Sequence, residues 1–210
     1  MDGEGAERLA LTTSDGERLD AELSRADEPR AAVVLAHPHP EFGGSMHVPF
    51  IEALFRALPV AGITTLRFDF RGVGQSTGAH TGGDGERLDV EAAVASPATQ
   101  ADGAPVVTVG WSFGGDVSLG VVVETIAGWV AVAPPLQVPG HAAAGHDPRP
   151  LLLLVPEHDQ LNPPDSARPK VADWESTRLE VIPSTDHFLL GRSGWVAEQV
   201  AAFVDELVGR

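Results

Sequence analysis

The strongest indication of the fold is the segment Pro105-Val106-Val107-Thr108-Val109-Gly110-Trp111-Ser112-Phe113-Gly114-Gly115. Its β-branched run predicts a short buried strand, and glycines follow on either side of a serine. The segment 115–125 then predicts a helix. A tight turn between a buried strand and a helix would hold the Ser112 hydroxyl at the edge of a sheet, beside the N-terminus of that helix.

Outward from this stretch, apolar runs of strand length alternate with segments of helical spacing. Strands are predicted at 8–13, 17–24, 31–36, 63–68, 106–109, 129–132, 151–155 and 178–182, and further helices at 50–58, 85–94, 165–174 and 196–207. The first two strands flank the turn Ser14-Asp15-Gly16 and predict an antiparallel hairpin. The remaining pattern predicts an α/β fold: one domain over residues 5–210, a mostly parallel twisted sheet with helices on both faces, and ligands at the carboxyl ends of the strands.

Composition and charge exclude several classes of function. The chain has 210 residues, a net charge of -16 and no cysteine. Such an acidic protein repels nucleic acids and anionic membranes, so neither is an expected partner. Without cysteine there is no disulfide, thiolate nucleophile or cysteine-bound zinc. The N-terminal Met1-Asp2-Gly3-Glu4-Gly5 lacks the order of a signal peptide, which predicts a cytoplasmic protein.

Two serines lie in a G-x-S-x-G pattern, and their contexts differ. Ser112 follows a predicted buried strand and precedes a predicted helix, which is the context that a nucleophile elbow requires. Ser76, in Gly74-Gln75-Ser76-Thr77-Gly78, lies in a glycine-rich loop. Ser112 is therefore the predicted nucleophile, the alternative being a tight turn without chemistry, and Ser76 is predicted to belong to an ordinary turn.

Further segments resemble the α/β-hydrolase superfamily over nearly the whole chain. Pro156-Glu157-His158-Asp159-Gln160-Leu161-Asn162-Pro163 is similar to the turn that carries the family's acid, with Pro156 in place of a glycine. Pro183-Ser184-Thr185-Asp186-His187-Phe188 is similar to the turn that carries its histidine. The loop His37 to Met46 resembles that of a small lidless group of serine hydrolases, of the carboxylesterase and dienelactone hydrolase type. The order of nucleophile, acid and histidine matches the family.

The resemblance and the chemistry together predict a catalytic triad. A serine hydroxyl needs a base to take its proton and a third group to orient that base. His187 is the predicted base, although a histidine that caps the last helix would also fit. Asp159 is the predicted acid, Glu157 is the alternative, and Asp186 is disfavoured because it is the sequence neighbour of His187.

An oxyanion needs two N–H donors. One is predicted to be the backbone N–H of Phe113, directly after the nucleophile. The second is predicted in the loop that follows the first buried strand. The prolines of that loop have no N–H whereas His39 retains one, so His39 is predicted, with Gly43 or Gly44 as alternatives.

The pair His37-Pro38-His39 also raises the question of a metal site. No Asp-His follows this pair and no second cluster of ligands is evident in the sequence. We therefore predict no metal and no cofactor.

About sixteen residues, 134–149, separate two predicted strands at the point where the superfamily usually inserts a cap. They are too few for a helical cap, so an open site is predicted. The residues predicted to line it, each equally compatible with plain core, are Phe42, Leu136, Val138, Leu161 and Phe188. The resemblance then implies a serine esterase for small carboxylic esters or related acyl compounds. Peptide, thioester or lactone hydrolysis, cofactor-free perhydrolysis and a non-catalytic binding role stay open, as does the oligomeric state.

Overall fold

A sheet runs through the centre of the protein, for which a computed structural model describes residues 6–99 and 103–209. Within these residues the strands are β1 (Ala6–Thr12), β2 (Arg18–Ser24), β3 (Ala31–Ala36), β4 (Ile63–Phe68), β5 (Val106–Trp111), β6 (Ile126–Val132), β7 (Leu151–Pro156) and β8 (Thr177–Ile182). Their order is β1-β2-β4-β3-β5-β6-β7-β8. The strands β1 and β2 form the predicted hairpin, in which Ala6 pairs with Ser24, and β2 joins β4 antiparallel. All other pairs are parallel, so these strands end at one edge.

Helices cover both faces of the sheet, as predicted. The described residues form α1 (Pro49–Val60), α2 (Asp84–Val94), α3 (Phe113–Leu119), α4 (Pro164–Lys170) and α5 (Ser193–Val208). The helices α1 and α5 enclose one buried cluster against the sheet, and α2 and α3 enclose the other. Alternate residues of β3 enter the two clusters, Val33 on one side and Val34 on the other. Burial on both faces explains why this strand is apolar throughout.

Two predicted helices end earlier than expected. The helix predicted at 115–125 stops at Leu119 and Gly120 caps it, because three consecutive β-branched residues, 121–123, follow and disfavour a helix. The helix predicted at 165–174 stops at Lys170, because Pro169 cannot donate a backbone hydrogen bond. Trp174 packs into the core from the turn that follows.

The connection between β6 and β7 contains no helical cap. Of the described residues 133–150, only Ala144–His146 form a helical turn, and it is a short 3-10 turn. The predicted single-domain α/β fold with helices on both faces and no helical cap is thereby confirmed. Its predicted limits, residues 5 and 210, lie outside the described residues. None of the helices in the described part of the chain is both long and apolar enough to cross a bilayer.

Candidate active site

Ser112 lies in a sharp turn between β5 and α3. Its φ of 55° and ψ of -121° are unusual for a residue with a side chain and cost about 1–3 kcal/mol. The Ser112 N–H donates to Val132 O at 2.9 Å, and the Ser112 carbonyl accepts the N–H of Gly115 at 2.9 Å. A Cβ atom at Gly110 would lie 2.2 Å from Gly114 O, so the glycines of the motif are required by close backbone packing.

The structure brings Ser112, His187 and Asp159 together at the carboxyl edge of the sheet. Ser112 Oγ lies 2.9 Å from His187 Nε2, and His187 Nδ1 lies 2.9 Å from Asp159 Oδ2. Asp159 follows β7 and His187 follows β8, so three loops at the same edge of the sheet, after β5, β7 and β8, supply the side chains. All three residues are buried. The arrangement has the geometry of nucleophile, base and orienting acid.

The environment of Asp159 keeps its carboxylate ionised. Burial raises the pKa of this carboxyl group, but the hydrogen bond with His187 and two backbone N–H donors outweigh burial and lower the pKa below 3.8. These donors, Leu161 at 2.7 Å and Asn162 at 3.1 Å, occupy Oδ1. Oδ2 is thereby left for the imidazole, which fixes the proton on Nδ1 and leaves Nε2 to accept from Ser112.

The alternative candidates have other partners. The Glu157 carboxylate accepts the N–H of Ser184 at 2.7 Å, and Asp186 accepts the N–H of Phe188 at 3.0 Å. Ser76 Oγ donates to Asp69 O at 2.7 Å, so this serine anchors its loop to the residue that follows β4, as in an ordinary turn.

The two predicted oxyanion donors face the same cleft. Phe113 is the first residue of α3, and His39 precedes a 3-10 turn, Pro40–Phe42. Within the described part of the chain, neither backbone N–H donates to a protein acceptor. The N–H groups of the alternatives Gly43 and Gly44 donate to carbonyls of the same loop, at 3.1 Å and 3.0 Å. The free donors therefore favour His39 over the glycines.

A cleft of about 430 Å³ opens beside Ser112. Three of the predicted substrate contacts, Phe42, Val138 and Leu161, line it. Leu136 does not, because it is buried in the core. Phe188 does not line it either: its ring contacts the His187 imidazole, with the centroids 6.1 Å apart, and 63% of the residue is exposed.

Two residues of the site were missed by the sequence analysis. Asp116, on α3, lines the cleft and accepts three backbone N–H groups of the segment 136–138, at 2.8, 2.8 and 3.0 Å. Its position four residues after Ser112 places it on the same side of the helix and could have indicated it. His80 lies 4.7 Å from the His39 ring and 5.3 Å from the Phe113 ring, between centroids. No local pattern indicates this contact.

Comparison with known proteins gives the relatives of this chain. A family model described as serine aminopeptidase, S33, matches residues 27–155, more than half of the chain. An uncharacterised protein of Rickettsia prowazekii is 32% identical over 127 residues, which are 57% of this chain and 52% of that protein. The match thus spans about half the length of this curated relative.

Solved structures resemble the chain over nearly its whole length. An α/β serine hydrolase homologue from Coxiella burnetii is 27% identical with a TM-score of 0.84, covering 96% of this chain and 99% of its own. A serine hydrolase without a lid from Xanthomonas campestris is 24% identical with a TM-score of 0.80, covering 100% and 96%. Est1E of Butyrivibrio proteoclasticus, solved with ferulic acid, is 19% identical with a TM-score of 0.80, covering 96% and 100%. The last two likenesses concern the fold alone.

Proposed function

Because this chain belongs to the serine aminopeptidase S33 family of α/β-hydrolases, we propose that it is a serine hydrolase that cleaves small carboxylic esters through an acyl-enzyme. The observation that carries the proposal is the pair of 2.9 Å contacts that join Ser112 Oγ, His187 and Asp159. The proposed reaction uses no metal and no cofactor.

The proposed mechanism follows from the hydrogen bonds of His187. Ser112 Oγ attacks the ester carbonyl carbon while His187 Nε2 takes the hydroxyl proton. Asp159 stays ionised, holds the ring and stabilises the imidazolium. The imidazolium then returns the proton to the departing alcohol, which leaves an acyl group on Ser112. Water, activated by the same imidazole, releases the acid and restores the serine.

The tetrahedral intermediate carries a negative oxygen, and we assign its stabilisation to the backbone N–H groups of Phe113 and His39. Both groups lack a protein acceptor among the described residues, and both residues line the cleft. Donors that are fixed before the reaction stabilise the transition state without a reorganisation cost. Loss of one such donor typically lowers kcat by about 10²–10³.

The description of the family favours a second candidate, cleavage of a peptide at its free amino end. Such a substrate carries an ammonium group, which needs a carboxylate or another free acceptor. Among the described residues that line the cleft, Asp116 is the one acidic residue, and three backbone N–H groups already occupy its oxygens. The apolar side chains of the lining, Phe42, Val138 and Leu161, favour a neutral acyl group.

Labelling of the active serine tests the proposal. A fluorophosphonate probe should label the wild-type protein at Ser112, and nitrophenyl acetate should be hydrolysed. Ser112→Ala should lose both, while Ser76→Ala, the matched variant in the other G-x-S-x-G motif, should keep both. A labelled peptide that contains Ser76 would overturn the assignment of the nucleophile, and a folded wild-type protein that is not labelled would favour a binding role.

A substrate panel separates the uses of the same triad. Nitrophenyl esters should be cleaved with a higher kcat/KM than aminoacyl nitroanilides, thioesters and lactones of matched size. A preference for aminoacyl nitroanilides, lost in Ser112→Ala, would instead establish the aminopeptidase candidate.

A further inference from the structure

Three side chains that can bind a metal meet at the rim of the cleft. Ligand atoms of His39, Glu41 and His80 all lie within 4.8 Å of one another. His39 and Glu41 belong to the loop after β3, and His80 belongs to the loop between β4 and α2. Two imidazoles and a carboxylate form a ligand set that suits zinc and its neighbours in the first transition row.

A buried carboxylate orients His80. Its Nδ1 lies 2.7 Å from Glu86 Oε1, and Glu86 is fully buried. The Glu86 oxygens also accept hydrogen bonds from the Thr81 N–H at 2.9 Å, the Thr81 hydroxyl at 2.7 Å and the Gly83 N–H at 2.8 Å, which is the pattern of a carboxylate that acts as acceptor. Glu86 therefore holds a proton on Nδ1 and leaves the Nε2 lone pair of His80 free. A carboxylate behind a histidine in this way is typical of metal ligands.

His39 presents a nitrogen lone pair to the site. Its Nδ1 accepts the Glu41 N–H, so this nitrogen does not carry a proton. A metal binds the neutral imidazole. The Nδ1 atom of His39 accepts only a long hydrogen bond of 3.2 Å, from the Glu41 N–H, so a metal would compete with a weak interaction.

We propose that His39, Glu41 and His80 form a binding site for a divalent transition-metal ion such as Zn²⁺, separate from the proposed triad. In a tetrahedral zinc site with bonds of about 2.0–2.2 Å, neighbouring ligand atoms are roughly 3.4 Å apart. The ligand atoms must therefore approach one another by up to about 1.4 Å. Glu41 is exposed and has a flexible side chain, so it can make this movement, and water completes the coordination.

The charge of the protein supports a cation at this position. A net charge of -16 raises the local concentration of cations at the surface. The His39 ring also lies 4.9 Å from the Phe113 ring, between centroids, so a bound ion would sit in the wall of the cleft. Binding itself needs no turnover, and the proposal stands independently of the proposed hydrolase activity.

Zinc binding to the whole chain tests the proposal. ZnCl₂ is titrated in a buffer that does not chelate zinc, with a chromogenic chelator as competitor. We expect one equivalent per chain with a dissociation constant in the micromolar range. His80→Ala and Glu41→Gln should weaken binding at least tenfold, while His146→Ala, at an exposed histidine elsewhere, should leave it unchanged. Glu86→Gln should weaken binding by about 10–100-fold through His80.

Other outcomes would refute the site. The proposal is wrong if no stoichiometric binding is observed at zinc concentrations below 100 µM. It is also wrong if folded His80→Ala or Glu41→Gln binds zinc with a dissociation constant within twofold of the wild-type value. The variant His187→Ala tests whether zinc binds at the proposed triad instead, because His187 also offers an imidazole near the cleft. If zinc binding is lost in His187→Ala and kept in His80→Ala, the metal binds at the triad and the proposal is wrong. Circular dichroism of each variant confirms that it is folded.

Discussion

Acidification from pH 7 to pH 4.5 should destabilise the protein through His37. This residue directly follows β3 and is completely buried. Its Nδ1 lies 2.6 Å from Pro38 O, which can only accept, and its Nε2 lies 3.1 Å from the Phe70 N–H, which can only donate. The neutral ring with its proton on Nδ1 satisfies both contacts. If Nε2 were also protonated, two N–H donors, those of His37 and Phe70, would face each other without an acceptor.

The pKa of His37 sets the magnitude of the effect. Burial, opposed by the hydrogen bond to Pro38 O, lowers this pKa from 6.5 to about 4. Between these two values the unfolded chain binds a proton at His37 and the folded protein does not. Stability is therefore fully present above pH 6.5 and is lost as the pH falls toward 4. Lowering the pKa of His37 from 6.5 to about 4 corresponds to about 3 kcal/mol of folding stability, most of which is lost by pH 4.5.

The nearby carboxylate of Asp69 does not reverse this sign. Its Oδ1 lies 4.0 Å from His37 Nε2 and accepts the Met46 N–H at 2.7 Å. Burial raises the pKa of Asp69, which favours its neutral form and weakens any attraction for an imidazolium. Buried acids with raised pKa values, Asp69 among them, stabilise the folded state at low pH and oppose the His37 effect. The His37 contribution must therefore be isolated with a variant.

Urea unfolding of the wild type and of His37→Gln, from pH 7 to pH 4.5, isolates that contribution. Glutamine does not titrate, and its amide oxygen can accept the Phe70 N–H. We expect the wild type to be more stable at pH 7 and this advantage to shrink by about 2–3 kcal/mol at pH 4.5. Parallel curves, with an advantage constant to about 0.5 kcal/mol, would refute the reasoning.

Three further predictions concern the proposed chemistry and the cleft. Asp159→Asn should lower kcat by about 10⁴ and keep the fold, whereas Glu157→Gln should leave kcat within about threefold, as measured by ester hydrolysis and circular dichroism. Asp116→Ala should lower the free energy of unfolding by about 3 kcal/mol and raise KM, because it leaves three backbone N–H groups of the segment 136–138 without their acceptor. Urea unfolding and steady-state kinetics check both effects. For nitrophenyl esters, kcat/KM should rise from acetate to butyrate or hexanoate and then level. Each buried methylene contributes about 0.8 kcal/mol, but only while the open cleft covers it. A maximum at dodecanoate would contradict an open site.

The sequence predicted the part of the site that local sterics determine. The spacing of Gly110 and Gly114 around Ser112 is readable because the backbone at both glycines has no room for a Cβ atom. The buried strand before Ser112 is readable because both of its faces are covered, which makes the run apolar. Parallel topology then predicts that the loops after β5, β7 and β8 meet at one edge.

The sequence could not predict contacts that depend on the path of a loop. Asp159 and Glu157 are two residues apart, and the path of their loop decides which of the two carboxylates contacts His187. In this loop Asp159 Oδ1 accepts the N–H groups of Leu161 and Asn162, which leaves Oδ2 for His187. The proximity of His39 and His80 joins two loops that are forty-one residues apart in the chain. The early end of α3 reflects the β-branched residues 121–123, which helical periodicity alone does not weigh.

Side chains from α3, from α4 and from the loop before α4 hold the segment 134–138, which forms a wall of the cleft in place of a cap. Asp116 binds the N–H groups of 136–138. Asn162 Nδ2 donates to Pro134 O at 2.9 Å, and Lys170 Nζ donates to Pro135 O at 3.2 Å and to Asn162 Oδ1 at 2.9 Å. The carbonyl groups of Pro134 and Pro135 thus have fixed donors from outside the segment. Because Asn162 also donates its N–H to Asp159, the wall and the acid of the proposed triad share one support, and a change at Lys170 would disturb both.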